Sequence, residues 1–241
     1  MVRFLSPTRP AARHGSAYNL GWWIGRLIIW FIVGSFALTL LFRFVPVPVT
    51  LTMIVDPNGF TKDWEPLSRI DRNMIAAVIA GEDARFCDHS GFDTDAIEQA
   101  MERNANGGKL RGGSTISQQT AKNVFLWQGT GWTRYFRKGL EVWFTFLIEN
   151  LWGKRRIMEV YLNVAETGIG TYGVEAGAQR YYKHPAARLT RVEAARIAAA
   201  LPSPKKRAVT NATGFTRRHG NVIAARSTVV RSSALDSCVY D

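Results

Sequence analysis

Apolar residues recur at helical spacing through most of this chain, and polar residues interrupt them in three dense clusters between Ile70 and Glu149. The pattern predicts helices over Asp71–Arg85, Asp95–Asn104, Ser117–Phe125, Thr133–Trp152 and Lys154–Asn163. Beyond the Gly-rich stretch Gly168–Gly173 it predicts two more, Val174–Tyr182 and Thr190–Ala200. Thr190 and Glu193 have the spacing of a capping box and fix the start of the last one. Val45–Val55 alternates Thr with apolar residues behind a Pro-containing lead and reads as a short strand, closed by the turn Asp56-Pro-Asn-Gly. One strand against so many helices makes a mainly α domain. After Pro202 the apolar period weakens, and a frayed or loosely docked helix is expected.

A different pattern precedes this domain. Leu27–Phe42 carries no charge, and extended back to Leu20 it reaches the ~20 residues that cross a bilayer. Arg26 interrupts the extension near an end, where it can snorkel, and Trp22, Trp23 and Trp30 suit the interface. A cleaved signal would end in a small-x-small site, whereas this segment runs into Leu-Leu-Phe-Arg-Phe-Val-Pro-Val-Pro, so a retained anchor is expected. The leader before it has Arg3, Arg9 and Arg13 and no acidic residue, which keeps it cytoplasmic and places the chain after Arg43 outside. Four segments follow: a basic tail (1–19), a membrane helix (20–44), a catalytic domain (45–207) and a divergent C-terminal tail (208–241).

The total of 241 residues leaves no room for a second large domain. Thirty-one Lys and Arg against 19 Asp and Glu give a net charge of +12, which points to anionic lipids, phosphates or other polyanions. Cys87 and Cys238 are too few and too distant in sequence for a disulfide framework or a zinc site, and read as two free thiols.

The first cluster is Gly81-Glu-Asp-Ala-Arg-Phe-Cys-Asp-His-Ser-Gly-Phe-Asp93. Glu82 continues the stripe of Ile75, Val78 and Ile79. It is either a partly desolvated carboxylate with a raised pKa, suited to accept a proton, or a helix-end group paired with Arg85. Phe86 and His89 have the spacing to wall one pocket, although a lone histidine is ordinarily structural. The acidic residues nearby lack the alternation of a calcium loop. In the second cluster, Gly112–Asn123, Ser114, Thr115, Ser117, Gln118 and Gln119 crowd a helix N-terminus behind a Gly-Gly turn, and Lys122 lies one turn further on. The spacing is not that of a Walker A loop. The third, Arg137-Lys-Gly-Leu-Glu141, puts Arg137, Lys138 and Glu141 on one helical turn, which taken alone is equally the pattern of a solvated face.

Together the clusters resemble the peptidoglycan glycosyltransferases, known as monofunctional membrane enzymes and as the first domain of class A penicillin-binding proteins. The family's Glu-Asp-x-x-Phe-x-x-His-x-Gly motif corresponds to Glu82–Gly91, its Gly-Gly-Ser-Thr-Ile-Thr-Gln-Gln-x-x-Lys-Asn motif to Gly112–Asn123, with Ser117 for threonine, and its Arg-Lys-x-x-Glu motif to Arg137–Glu141. A fourth motif aligns with Lys154–Asn163, and the likeness runs from Trp64 to Pro202. Gly177 stands where the family more often has alanine. The resemblance implies a lysozyme-like fold with a small membrane-proximal jaw, and polymerisation of lipid II into linear β-1,4 glycan strands by inverting transfer. It implies Glu82 as general base and Glu141 beside the donor diphosphate, assisting departure or holding a divalent cation, Mg or Mn. Asp83, Phe86, His89, Ser114, Thr115, Gln119, Lys122, Arg137, Lys138 and Lys154 would bind substrate. No organic cofactor and no nucleic acid is expected; the partners would be lipid II, the nascent strand, membrane lipids and other cell-wall proteins. A glycan hydrolase is the rival enzyme and a silent scaffold the rival of another kind. Ser203-Pro-Lys-Lys206 fits Ser-x-x-Lys, but no Lys-Thr-Gly follows it.

Overall fold

The computed structural model describes residues 15–105, 113–129 and 131–240. The basic leader with Arg3, Arg9 and Arg13, and the Gly112 that opens the second motif, lie outside the described residues. Two units are distinguished, Met1–Leu38 and Thr39–Asp241. In the first, helix α1 begins at Gly15 and continues to Phe44. Its stretch Leu20–Phe44 has a mean hydropathy of 2.1 over the most apolar window, and its large apolar side chains are almost all exposed, the state expected of a helix meant for lipid. One N-terminal apolar helix of this length fits a single-pass anchor.

The second unit is helical around a buried helix, α3 (Arg72–Glu82). Every residue from Met74 to Ala80 is buried, so α3 is enclosed on all sides. Asp71 caps it by accepting from Asn73 N at 2.8 Å. Helices α9 (Arg191–Ala200) and α10 (Gly214–Ser232) pack on α3 and on each other, and the Thr190–Glu193 capping box is present at the start of α9. On the other side α5 (Ile116–Phe125) packs against α6 (Thr133–Leu151) and α7 (Gly153–Val164). Helices α4 (Thr94–Ala105) and α8 (Val174–Tyr182) lie close to the bounds read from the sequence.

The short strand expected over Val45–Val55 is not formed. Pro46 and Pro48 lack the N–H groups a ladder needs. Residues 46–50 form no regular element, and Thr50, in an extended conformation, caps a single helical turn, α2 (Leu51–Ile54). Side chains from afar take up the carbonyls: Lys62 donates to Val47 and Pro48, and Arg156 donates to Phe42 and Val45. The strands that do form are β1 (Thr61–Lys62), β2 (Glu166–Gly168) and β3 (Thr171–Tyr172), in the order β1-β3-β2 with β1 parallel and β2 antiparallel to β3. The Gly-rich stretch Gly168–Gly173 is thus a small hairpin. Gly177 has a packing reason: a Cβ there would come within 2.9 Å of Thr167 Oγ1, beside that hairpin.

Two further expectations are corrected. The tail after Pro202 is not frayed, because α10 buries Gly220, Ile223, Ser227 and Val230 against α3 and α9. That face is built partly from Gly and Ser, which carry little apolar signal. Nor are the cysteines free thiols: Cys87 and Cys238 form a disulfide across 151 residues of sequence, with Cα atoms 5.6 Å apart. Asp236, fully buried, accepts from Arg72 Nε and Nη2 at 2.9 and 2.8 Å just before Cys238. Sequence distance had hidden a meeting that only the return of α10 creates.

Asp236→Ala should leave Arg72 without its buried acceptor and lower the unfolding free energy by about 2–3 kcal/mol, with the cost moderated because Arg72 is half exposed. Urea denaturation of the purified protein followed by far-UV circular dichroism measures it; a change within about 0.5 kcal/mol would remove the pair from the forces that hold the tail.

Candidate active site

Three cavities of about 490, 410 and 220 Å³ run into one another over the surface of α5. Gln119 and Lys122 line both of the larger two, while Gly113 and Ser114 line both the second and the third. The result is one cleft with a carboxylate region at one end and a cationic region in the middle.

Glu82 lies at the carboxylate end, on the last turn of α3. The helix is buried from Met74 to Ala80, the carboxylate that follows is half-buried, and burial raises its pKa above the usual 4.5. A hydrogen bond from Gln119 Nε2 to Glu82 Oε2 at 2.8 Å and the charges of Arg207 and Lys122 oppose this without cancelling it. Tyr161, wholly buried, donates from its hydroxyl to Gln119 Oε1 at 3.2 Å and so fixes which way the amide faces. Burial near Glu82 and Asp83 drives the Tyr161 pKa well above its usual value, so it stays a neutral donor.

Asp83 lines the carboxylate end of the cleft and joins α3 to α5. Its Oδ2 accepts from Ile116 N at 3.0 Å, and its Oδ1 lies 2.9 Å from His89 Nε2. His89 Nδ1 accepts from Gly91 N at 3.1 Å, which places the single ring proton of the neutral tautomer on Nε2, donated to Asp83. Thr115 closes the ring of contacts through Oγ1 to Gly91 O at 2.7 Å and forms a capping box with Gln118 at the start of α5. Gly91 has φ +91, and a Cβ there would meet Thr145 at 2.7 Å, so only glycine closes this loop.

Phe86 is buried in the core and lines no part of the cleft. Lys154 donates to Glu149 Oε1 at 2.8 Å and to His89 O at 2.6 Å, with its ammonium 4.6 Å from the Phe86 ring centre. Ser117, the residue in the usual threonine position, donates to the same Glu149 oxygen. Phe86, His89 and Lys154 therefore support the loop 83–91 from behind.

The cationic middle of the cleft is lined by Lys122, Arg134, Arg137, Lys138 and Glu141, with Ser114 and Gln119 beside them. Buried Glu141 accepts from Arg137 Nη1 at 3.2 Å and from Lys138 Nζ at 2.5 Å. The Arg137 to Glu141 pair is therefore no solvated face. Arg137 Nε is buried without a hydrogen-bond partner among the described residues, a donor that an incoming anion could satisfy. Burial lowers the Lys122 pKa; Glu141 pulls it up, and Arg137 and Lys138 push it down. Sequence reasoning missed the far end, where Asp56, Tyr161, Glu166, Lys205 and Lys206 join the lining. Lys205 lies 2.9 Å from Asp56 Oδ2 and 3.5 Å from Glu166 Oε1. Lys205 and Lys206 drew notice in the sequence within the Ser-x-x-Lys match at Ser203–Lys206, not as part of a cleft.

Asp83, His89 and Asp93 bring potential metal-ligand atoms within 4.8 Å of one another. Each also carries hydrogen bonds within the protein: Asp83 and His89 as above, and Asp93 Oδ1 with Ala96 N at 3.0 Å and Arg85 at 3.4 Å. Around Glu141 both carboxylate oxygens are taken and the flanking groups are cations. That donor set does not fit a resident Mg or Mn.

Residues 50–228 match a family model described as transglycosylase. A protein of Caulobacter vibrioides named biosynthetic peptidoglycan transglycosylase is 48% identical over 216 residues, 88% of this chain and 93% of its own length. Similar proteins of the same name occur in Bdellovibrio bacteriovorus, 49% identical over 76% of each chain, and in Rhodospirillum centenum, 46% identical over 85% of this chain and 89% of that one.

The burial of Glu82 has a thermodynamic sign that can be checked. Below the usual glutamate range the group is protonated in both folded and unfolded chains; as pH rises through 4.5 the unfolded chain ionises first, and folding loses stability. The deficit is complete above the raised folded pKa. Glu82→Gln should therefore unfold at a higher temperature than the wild type at pH 8 and at the same temperature at pH 4. Equal melting at both pH values would show that Glu82 ionises as freely folded as unfolded.

Proposed function

The chain belongs to the transglycosylase family, and we propose that it polymerises lipid II into linear β-1,4 peptidoglycan strands, releasing undecaprenyl diphosphate. The observation that carries this reading is one continuous cleft that holds a desolvated carboxylate, Glu82, and a set of fixed cations around Glu141. A glycoside hydrolase expels an alcohol and needs a proton donor at the leaving oxygen. Here the leaving-group end presents ammonium and guanidinium groups, which suit a diphosphate.

In the reaction, Glu82 accepts the proton of the acceptor sugar 4-hydroxyl as its oxygen attacks the anomeric carbon of the donor. Attack from the face opposite the α-linked diphosphate inverts that centre to β. Gln119 holds the Glu82 carboxylate toward the cleft, and Tyr161 holds Gln119. Lys122, Arg137 and Lys138 receive the charge that develops on the departing diphosphate. Glu141 keeps Arg137 and Lys138 in place, so that the cations are set before the substrate arrives and need no reorganisation. Ser114, exposed and lining two cavities, would meet the sugar, and Thr115 would set that edge of the cleft through its bond to Gly91 O. Asp83, Phe86, His89 and Lys154 act through the loop they support. The apolar helix anchors the enzyme where its lipid substrate lies, and the basic leader keeps the catalytic unit on the outer side of the cytoplasmic membrane.

Purified full-length protein in detergent should convert lipid II to polymer and free lipid diphosphate. Glu82→Gln should lower turnover by about 10²–10⁴-fold and Arg137→Ala by about 10²-fold, without loss of helical content. A Glu82→Gln protein that polymerises at the wild-type rate, or that restores growth in cells lacking the enzyme, would favour the scaffold reading instead. Shortening of finished glycan without release of lipid diphosphate would point to the hydrolase.

A further inference from the structure

The last turn of the fold reaches the loop that follows Glu82. Cys238 lies in the 3-10 turn Ser237–Val239, and its partner, Cys87, lies in the middle of the loop 83–91. The segment that carries Cys238 is fixed by contacts of its own. Asp236 accepts from Arg72 at the first residue of α3, the Arg72 guanidinium lies 4.6 Å from the Tyr240 ring centre, and Arg155 Nη1 on α7 donates to Val239 O at 3.0 Å. Arg231 Nη1, at the end of α10, donates to Asn73 Oδ1 at 3.0 Å. The end of the chain is thereby held to α3 and α7 before it touches the loop.

The loop has few other restraints in its middle. Asp83 at its start is tied to α5, and His89 and Gly91 at its end are tied to Lys154 and Thr115. Between them Phe86 enters the core, Arg85 pairs with Asp93 and Asp95 at the surface, and Cys87 bonds to Cys238. Only the last of these is a covalent bond, and it ties the loop to a segment remote in sequence.

We propose that residues 233–240 form a strap that positions the catalytic loop, and that glycan polymerisation depends on the Cys87–Cys238 bond. The strap acts on Glu82 through the loop and does not touch substrate. The inference rests on Glu82 as the base of the proposed reaction. It makes the C-terminal segment part of the working enzyme and makes activity sensitive to thiol reductants. Dithiothreitol gives two electrons and two protons to the bond, leaving two thiols, and is itself oxidised to its cyclic disulfide; diamide, a two-electron oxidant, takes the electrons and protons back and re-forms the bond.

The test uses the full chain in detergent, oxidised or reduced with dithiothreitol, with the thiols counted by alkylation and mass spectrometry. Lipid II polymerisation is measured at a temperature where circular dichroism shows both forms folded. Reduction should lower kcat at least fivefold with little change in KM, and diamide should restore it. The double variant Cys87→Ala/Cys238→Ala should have the lowered kcat and no response to dithiothreitol. Amide hydrogen exchange should quicken across 83–91 and stay unchanged in α5. A reduced protein with verified thiols and an undiminished kcat would overturn the strap, and so would a reduced protein that unfolds as a whole, since the bond would then only stabilise. Failure of the oxidised wild type to make polymer would sink the proposed function, and exchange at 83–91 then decides the strap alone: unchanged protection refutes it.

Discussion

The Asp83 carboxylate takes a hydrogen bond from the backbone of α5 and another from the His89 ring, and the geometry of the cleft follows from that junction. Glu82 ends one helix, while Gln119 and Lys122 belong to another, and the two helices meet at Asp83. Its acceptor oxygens satisfy a backbone donor at the N-terminus of α5, where a negative charge is also favoured by the helix dipole. Glu82, one residue earlier, accepts from Gln119 and lines the cleft. Two adjacent carboxylates thus differ in setting: Asp83 is tied into the junction of two helices, and burial raises the Glu82 pKa.

The cationic region shows a related economy. Four basic side chains line the middle of the cleft, an arrangement that repels itself unless something holds it. Glu141 supplies one buried carboxylate and anchors two of the four. One carboxylate does not neutralise four cations, and the imbalance is what an anionic substrate would relieve. The lowered Lys122 pKa and the Arg137 Nε that has no hydrogen-bond partner among the described residues are both local costs that binding of an anion can recover.

The helices were legible because their apolar periodicity is strong, and the site was legible because three motifs bring their own spacing. Glu82 could be placed at the end of a buried stripe from Ile75, Val78 and Ile79 alone. What the sequence did not disclose depended on contacts between distant segments. The strand expected at Val45–Val55 failed because alternation describes side chains and says nothing of the N–H groups two prolines remove. The strands that exist are two or three residues long, below the length at which a period can be read. Helix α10 was underestimated because Gly220 and Ser227 pack closely without being apolar. Phe86, His89 and Lys154 share motifs with residues that line the cleft, yet the contacts they make here are with the loop 83–91 and its neighbours, because one motif can hold both a cleft-lining group and the residues packed behind it.

The disulfide also orders events in time. Ribosomal synthesis presents Cys87 long before Cys238, and at about 5–20 residues per second the 151 residues between them take roughly 8–30 s. Through that interval the chain already carries its apolar helix and Glu82, and later Lys122, Arg137 and Lys138, but the loop 83–91 has no covalent tether. A chain with only these two cysteines has no wrong intramolecular pairing to escape from. Closure of the bond therefore reports that synthesis has passed Cys238, and a copy that stops before it is distinguishable, by chemistry alone, from one that does not.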